Sequence, residues 1–232
     1  MTPGRMRAAD RLIVALDVPT LAPALRMART LRGAVHTVKV GSVLFTACGP
    51  PGIRRLRALG FQVMLDLKFF DIPNTVELSC RAAARLGVSL LTVHALGGAT
   101  MLQAAVRGAR SGARRGRRPL VLAVTVLTSA PASTGQVTAL ARMAREAGCD
   151  GVVASAREAR ALRRLFPRLR MVCPGIRPKA STRGDQRRVA TPAQALADGA
   201  DWLVVGRPIT GARDPRAAAH AILRQMEEAT AC

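Results

Sequence analysis

Lysine is nearly missing from this chain. Of its 36 basic residues only Lys39, Lys68 and Lys179 are lysines, which leaves 33 arginines. Tyrosine is absent, and one tryptophan and five phenylalanines bring the aromatics to 3%. So few rings offer few platforms for stacking nucleic-acid bases, and the net charge of +22 does not by itself indicate a nucleic-acid partner. The arginines are spread over nearly every segment. Their densest run, Arg107 to Arg118, reads as the end of a helix and its loop with a solvated face. Such a charge can still help draw in an anionic substrate.

No CxxC occurs among Cys48, Cys80, Cys149, Cys173 and Cys232, and none of the three histidines lies near a cysteine at metal-ligand spacing. Thiols in a reducing compartment are expected rather than a disulfide framework or a zinc site. No apolar run approaches the roughly 20 residues of a membrane span; the longest, such as Leu120 to Leu127, have strand length. The apolar stretch behind the charged N-terminus stops at Asp17, short of the h-region of a secretory signal. The expectation is a cytoplasmic protein with no membrane and no nucleic-acid partner.

What the chain does contain is regular alternation. Eight short apolar runs rich in β-formers read as strands: LIVAL (12–16), TVKV (37–40), QVMLDL (62–67) and LLTVHA (90–95) come first. LVLAVTVL (120–127), GVVAS (151–155), MVCPG (171–175) and WLVVG (202–206) follow. Between them lie alanine-, leucine- and arginine-rich stretches of helical period, such as PALRMARTLR. Gly60, Gly87, Gly148 and Gly199 come just before strands, where a helix must hand over through a left-handed residue. Eight βα units without a composition break predict one α/β domain over 1–232, a single (β/α)8 barrel with its core at about 11–229. No GxGxxG follows the first strand, so a dinucleotide-binding sheet has little support.

A barrel of this kind places its chemistry at the C-terminal ends of the strands. The polar residues that interrupt the strand pattern stand there: Asp17, Lys39, Asp66 and Lys68, then Thr128 and Ser129, Arg177, and Arg207. The sharpest feature is Asp66-Leu67-Lys68-Phe69-Phe70-Asp71. Residues two apart on a strand share a face, so Asp66 and Lys68 point the same way while Leu65 and Leu67 face the covering helices. A structural ion pair at the barrel rim would explain a lone DxK. Two of only three lysines at adjacent strand ends favour chemistry, because an ammonium is a compact proton donor with a tunable pKa and a guanidinium is not.

Here the chain resembles the orotidine 5'-phosphate decarboxylase family. The stretch LDLKFFDIPNTV is similar to the family signature, and the likeness continues in LIVALDVPT, VKVGSVLFTACGP, TVHALGG, AVTVLTS, CPGIRP and GDQRRVATPAQALADGADWLVVGRPIT. These blocks run in family order from residue 12 to about 215. Two positions depart from it: Phe70, where many relatives carry histidine, and Ser42, which is smaller than expected.

The resemblance implies a cofactor-free conversion of orotidine 5'-phosphate to uridine 5'-phosphate and carbon dioxide in de novo pyrimidine biosynthesis. It assigns Lys68 to protonation of C6, Asp66 to the neighbourhood of the departing carboxylate, and Lys39 to the ribose or carboxylate side. Asp71, with Thr75, would reach the neighbouring subunit's site, so the expected assembly is a homodimer with shared active sites. Asp17 would bind the ribose hydroxyls, and Thr128 and Ser129 would lie near the polar edge of the pyrimidine. Ile72 and Pro174 are further expected contacts. Phosphate is expected on the loops after strands seven and eight, as is frequent in barrel enzymes. Gly206 would free backbone amides there and Arg207 a fork of donors, joined by Arg177 and Gln186. Pro178 to Asp185 would close over the substrate. His94 is either a satisfied barrel histidine or a ligand contact, and Trp202 reads as packing.

Two rivals remain at this level. Sugar-phosphate decarboxylases and hexulose-phosphate synthases share a DxKxxD on strand three but use a divalent metal held by further carboxylates. With 14 acidic residues this chain has few to spare, and IPNTV, LTS and GDQ favour the orotidylate branch. The other rival is a basic nucleic-acid-binding barrel without catalysis, against which the intact Lys39, Asp66, Lys68 and Asp71 argue.

Overall fold

The computed structural model describes residues 7–114, 116–178 and 190–231. Four strands come from the first half of the chain: β1 (Leu12–Ala15), β2 (Thr37–Gly41), β3 (Gln62–Phe69) and β4 (Leu90–His94). The second half supplies β5 (Leu120–Val124), β6 (Gly151–Val153), β7 (Arg170–Cys173) and β8 (Trp202–Val205). All pair in parallel and in chain order, and β8 returns to β1 to close the barrel. The helices of the first half are α1 (Ala8–Arg11), α2 (Leu21–Leu31), α3 (Ser42–Ala58), α4 (Pro73–Leu86) and α5 (Gly98–Ser111). Those of the second are α6 (Thr134–Glu146), α7 (Ala156–Leu165), α8 (Pro192–Ala197), the four-residue α9 (Arg207–Thr210) and α10 (Pro215–Ala231). Among the described residues no helix is long and apolar enough to cross a membrane.

Strand parity divides the interior into two packed regions. Leu12 and Val14, Val38 and Val40, Val63 and Leu65, and Leu91 and Val93 face outward and pack with the helices. Ile13, Ala15, Met64, Leu90, Leu122, Val172 and Val204 form a second cluster that includes no helix residue, the filling of the barrel itself. One step further along the inward face, the apolar pattern gives way to Asp17, Lys39, Asp66 and Thr92. A period of two therefore carries these four side chains into the mouth of the barrel.

The sequence runs overestimate β5, which ends at Val124 rather than at residue 127. Its partner β6 is only three residues long. Beyond it Thr125 ties to the carbonyl of Val153 through its amide (3.2 Å) and its hydroxyl (3.1 Å), and the chain then leaves the sheet. Gly60, Gly87, Gly148 and Gly199 are all left-handed, with φ between 76° and 99°.

The opposite end of the barrel is tied by two matching aspartates, each two residues after such a glycine. Asp150 accepts two bonds from Arg118 (2.6 and 2.8 Å) and one from the amide of Val121 (2.8 Å). Asp201 accepts from Arg163 (2.7 Å) and the amide of Met171 (2.7 Å). Each carboxylate joins two strand starts across the barrel base. Arg118, grouped by sequence with a solvated run, is thus part of the framework, and Arg107 pairs with Glu77 (3.1 Å).

Candidate active site

Three strands, β1 to β3, deliver a continuous charged array to the barrel mouth, and β4 adds the hydroxyl of Thr92. The Lys39 ammonium lies 2.9 Å from Oδ1 of Asp17 and 3.3 Å from Oδ2 of Asp66. The Lys68 ammonium lies 3.0 Å from Oδ1 of Asp66, which also accepts from the Thr92 hydroxyl at 3.0 Å. Signs alternate from Asp17 through Lys39 and Asp66 to Lys68. Asp66 is the anchor, its side chain only 12% exposed. Burial would raise its pKa, but Lys39, Lys68 and the bonds from Lys68 and Thr92 outweigh that and hold the carboxyl below its usual value. A carboxylate in such a place is tolerable because donors satisfy both of its oxygens.

Lys68 is held by an unusual backbone. Its φ of 51° is the only positive value at a non-glycine among the described residues, in a region that costs an ordinary residue about 1–2 kcal/mol. The register between β3 and β4 shifts between Leu65 and Phe69, the signature of a bulge that re-aims a side chain. The Lys68 amide donates to Oγ1 of Thr92 at 2.9 Å. At the neighbouring strand end Gly41 makes room for the array: a Cβ there would stand 3.0 Å from both Oδ1 of Asp17 and Nζ of Lys39.

Above the array is a cavity of about 460 Å³, within the size range of small-molecule sites. Asp17, Lys39, Asp66 and Lys68 from the ends of β1 to β3 line it, together with Thr128 after β5, Pro174 and Arg177 after β7, and Gly206 and Arg207 after β8. The structure therefore brings an acidic and ammonium pole together with a guanidinium pole in one concavity. Among the described residues no group of three or more histidine, cysteine or carboxylate side chains is placed to hold a metal.

Other expected residues lie elsewhere. Asp71, Ile72 and Thr75 are exposed on the rim and do not line this cavity; Oδ1 of Asp71 accepts from the amide of Ile72 (2.7 Å). Ser129 sits inside the turn closed by Ala130 and Leu127, outside the lining. His94 is also outside it. Its ring lies 5.6 Å from that of Phe70, and Nδ1 accepts from the amide of Leu96 (3.3 Å). Burial, and then the charge of Lys68, lower its pKa, which favours the neutral ring that this acceptor role requires. Gln186, and the closing segment after Pro178, lie outside the described residues. Trp202 is buried in the barrel filling and donates from Nε1 to the carbonyl of Asp10 (3.1 Å).

One residue went unmarked in the sequence. Thr92 is fully buried, and its place inside LLTVH gave a signal: a hydroxyl on the inward parity of an otherwise apolar strand. Its pairing with Lys68 depends on the β3 bulge, which no strand pattern reveals.

Comparison with known proteins bears on this site. Residues 10–222 match the family described as Orotidine 5'-phosphate decarboxylase / HUMPS. The chain is 50% identical to the orotidine 5'-phosphate decarboxylase of Moorella thermoacetica, over 96% of this chain and 94% of that one. It is 50% identical to the protein of the same name from Halorhodospira halophila, over 94% and 97%. Among solved structures it is similar to the orotidine 5'-phosphate decarboxylase of Lactobacillus acidophilus. The TM-score is 0.83 and the identity 38%, covering 94% of this chain and 99% of that one.

Proposed function

Because the chain belongs to the orotidine 5'-phosphate decarboxylase / HUMPS family, we propose that it decarboxylates orotidine 5'-phosphate to uridine 5'-phosphate and carbon dioxide. The family description spans more than one chemistry, and the two relatives at half identity both carry the decarboxylase name. The observation that carries the reading is the Lys39–Asp66–Lys68 array lining the same cavity as Arg177 and Arg207.

The reaction follows from that polarity. The phosphate docks on Arg207, Arg177 and the backbone at Gly206, where forked donors match a dianion. The ribose hydroxyls lie toward Asp17 and Lys39, and Thr128 and Pro174 flank the base. Anchored this way, the pyrimidine presents C6 and its carboxylate to Asp66 and Lys68. As the C6–carboxylate bond breaks, its electron pair stays on C6 and carbon dioxide leaves. The Lys68 ammonium, already in place and already charged, stabilises that pair and then gives C6 its proton. Charge held in place by its partners acts without reorganisation, which is why it is effective here. Binding free energy from the distant phosphate holds the base against the array.

A homodimer with shared sites, in the cytoplasm, belongs to the same proposal. Phe70 and Ile72 are 62% and 66% exposed, and Val43, Leu96 and Leu127 add further apolar surface on the loops and helix starts after β2, β4 and β5. A rim this apolar suits a second copy of the chain. It would place Asp71 and Thr75, which do not reach the cavity of their own subunit, beside the cavity of the neighbour. Mixing inactive Asp71→Ala and Lys68→Ala chains tests this. Each mixed dimer would hold one intact site, so random exchange is expected to restore about a quarter of wild-type activity. No recovery after demonstrated exchange would place the whole site in one subunit. Turnover of orotidine 5'-phosphate in the presence of a chelator tests the reaction itself.

A further inference from the structure

Thr92 does not line the cavity, yet it binds the backbone of the residue assigned to the proton transfer directly and reaches that residue's ammonium through Asp66. Its Oγ1 accepts from the amide of Lys68 at 2.9 Å. An amide can only donate, so the hydroxyl proton has to point elsewhere, and Oδ1 of Asp66 lies 3.0 Å away. The same Oδ1 receives the Lys68 ammonium at 3.0 Å. The hydrogen-bond direction is therefore set all the way round: backbone of Lys68 to hydroxyl, hydroxyl to carboxylate, ammonium to carboxylate. The ring closes on the one non-glycine residue with positive φ among the described residues. Such a backbone persists only where its surroundings over-determine it.

We propose that Thr92 is a positioning residue for the decarboxylation: it clamps the left-handed backbone of Lys68 and the facing oxygen of Asp66, and so aims the ammonium at C6. The inference rests on the decarboxylase reading. Valine has nearly the shape of threonine but offers neither acceptor nor donor. Thr92→Val leaves the part-buried Lys68 amide without its acceptor and Asp66 without one donor. Serine keeps both bonds.

The effect belongs on the chemical step, because the phosphate and ribose contacts lie on other strands. In the full-length protein, Thr92→Val is expected to lower kcat roughly 10- to 100-fold, the scale of a misplaced reacting group. KM for orotidine 5'-phosphate and the Kd for uridine 5'-phosphate should both stay within about threefold of wild type. Thr92→Ser should recover most of kcat. Should the valine variant fail to fold by circular dichroism, Thr92→Ala removes the same two bonds and carries the same expectation. An active wild type with a hydroxyl-free variant that keeps its kcat would overturn the role of Thr92 alone. So would a serine variant that falls as far as valine, or a loss carried by KM and Kd. A folded wild type that leaves orotidine 5'-phosphate unchanged overturns the decarboxylase reading and this role with it.

Discussion

Lys68→Ala is expected to lower kcat at least about 10⁴-fold, or about 5.5 kcal/mol of transition-state stabilisation. Two contributions are lost together. A positioned general acid is worth roughly 10²–10⁴-fold, and a preorganised donor at developing charge roughly 10²–10³-fold. They reside in one ammonium, so they do not simply multiply, but the upper end of the general-acid contribution alone reaches about 10⁴-fold. The protein should still fold, because Asp66 keeps Lys39 at 3.3 Å and Thr92 at 3.0 Å. KM should move much less than kcat, since the phosphate pole is untouched. Initial rates from the loss of orotidine 5'-phosphate absorbance, with circular dichroism as a check on folding, decide the matter. A decrease of less than tenfold would mean that another group delivers the proton.

The second large effect is at the other pole. Arg207→Ala is expected to lower kcat/KM roughly 10²–10³-fold, most of it in KM, the cost of removing one partner of a charge-assisted pair to a dianion. Arg207 lines the cavity at the start of α9, on the loop after β8. A substrate without phosphate separates its role from general damage. Wild type and variant should turn over orotidine at nearly the same low rate, because the deleted interaction has no partner there. A variant that loses as much on orotidine as on orotidine 5'-phosphate would contradict a phosphate contact. Arg207→Lys should recover part of the loss, since it keeps the charge and gives up the fork.

Much of this architecture could be read from residue order alone. Eight β-rich runs separated by helical stretches, with left-handed glycines before strands, specify a parallel barrel because each signal is local. Asp66 and Lys68 were legible for the same reason: spacing of two on a strand puts both in one direction. The boundaries were less so. β5 is cut short by the brevity of its neighbour β6, and the length of a partner strand is not a local property. Arg118 shows the same limit. Within a run of arginines it looks solvated, and only the closed barrel places Asp150 2.6 Å away.

The site was legible in composition and not in its internal wiring. A threonine inside LLTVH is ordinary until the bulge in β3 brings the Lys68 amide to its hydroxyl. Asp71, Ile72 and Thr75 belong to the resemblance rather than to geometry within one subunit, and their exposure fits that division. The basic character of the chain likewise divides into parts. Some arginines tie the framework, as Arg118 and Arg163 do, while Arg177 and Arg207 enter the cavity.

On the proposed function, charge fixed by Lys39, Asp66 and Lys68 drives decarboxylation of orotidine 5'-phosphate without help from a metal. The most direct measurement follows orotidine 5'-phosphate absorbance with purified wild-type protein in excess EDTA. Turnover that is unchanged by the chelator, with uridine 5'-phosphate and carbon dioxide formed in equal amounts, is the expected result. A folded protein that is inert in EDTA, and that acts on a sugar phosphate once a divalent metal is restored, would contradict the claim and place the chain on another branch of its family.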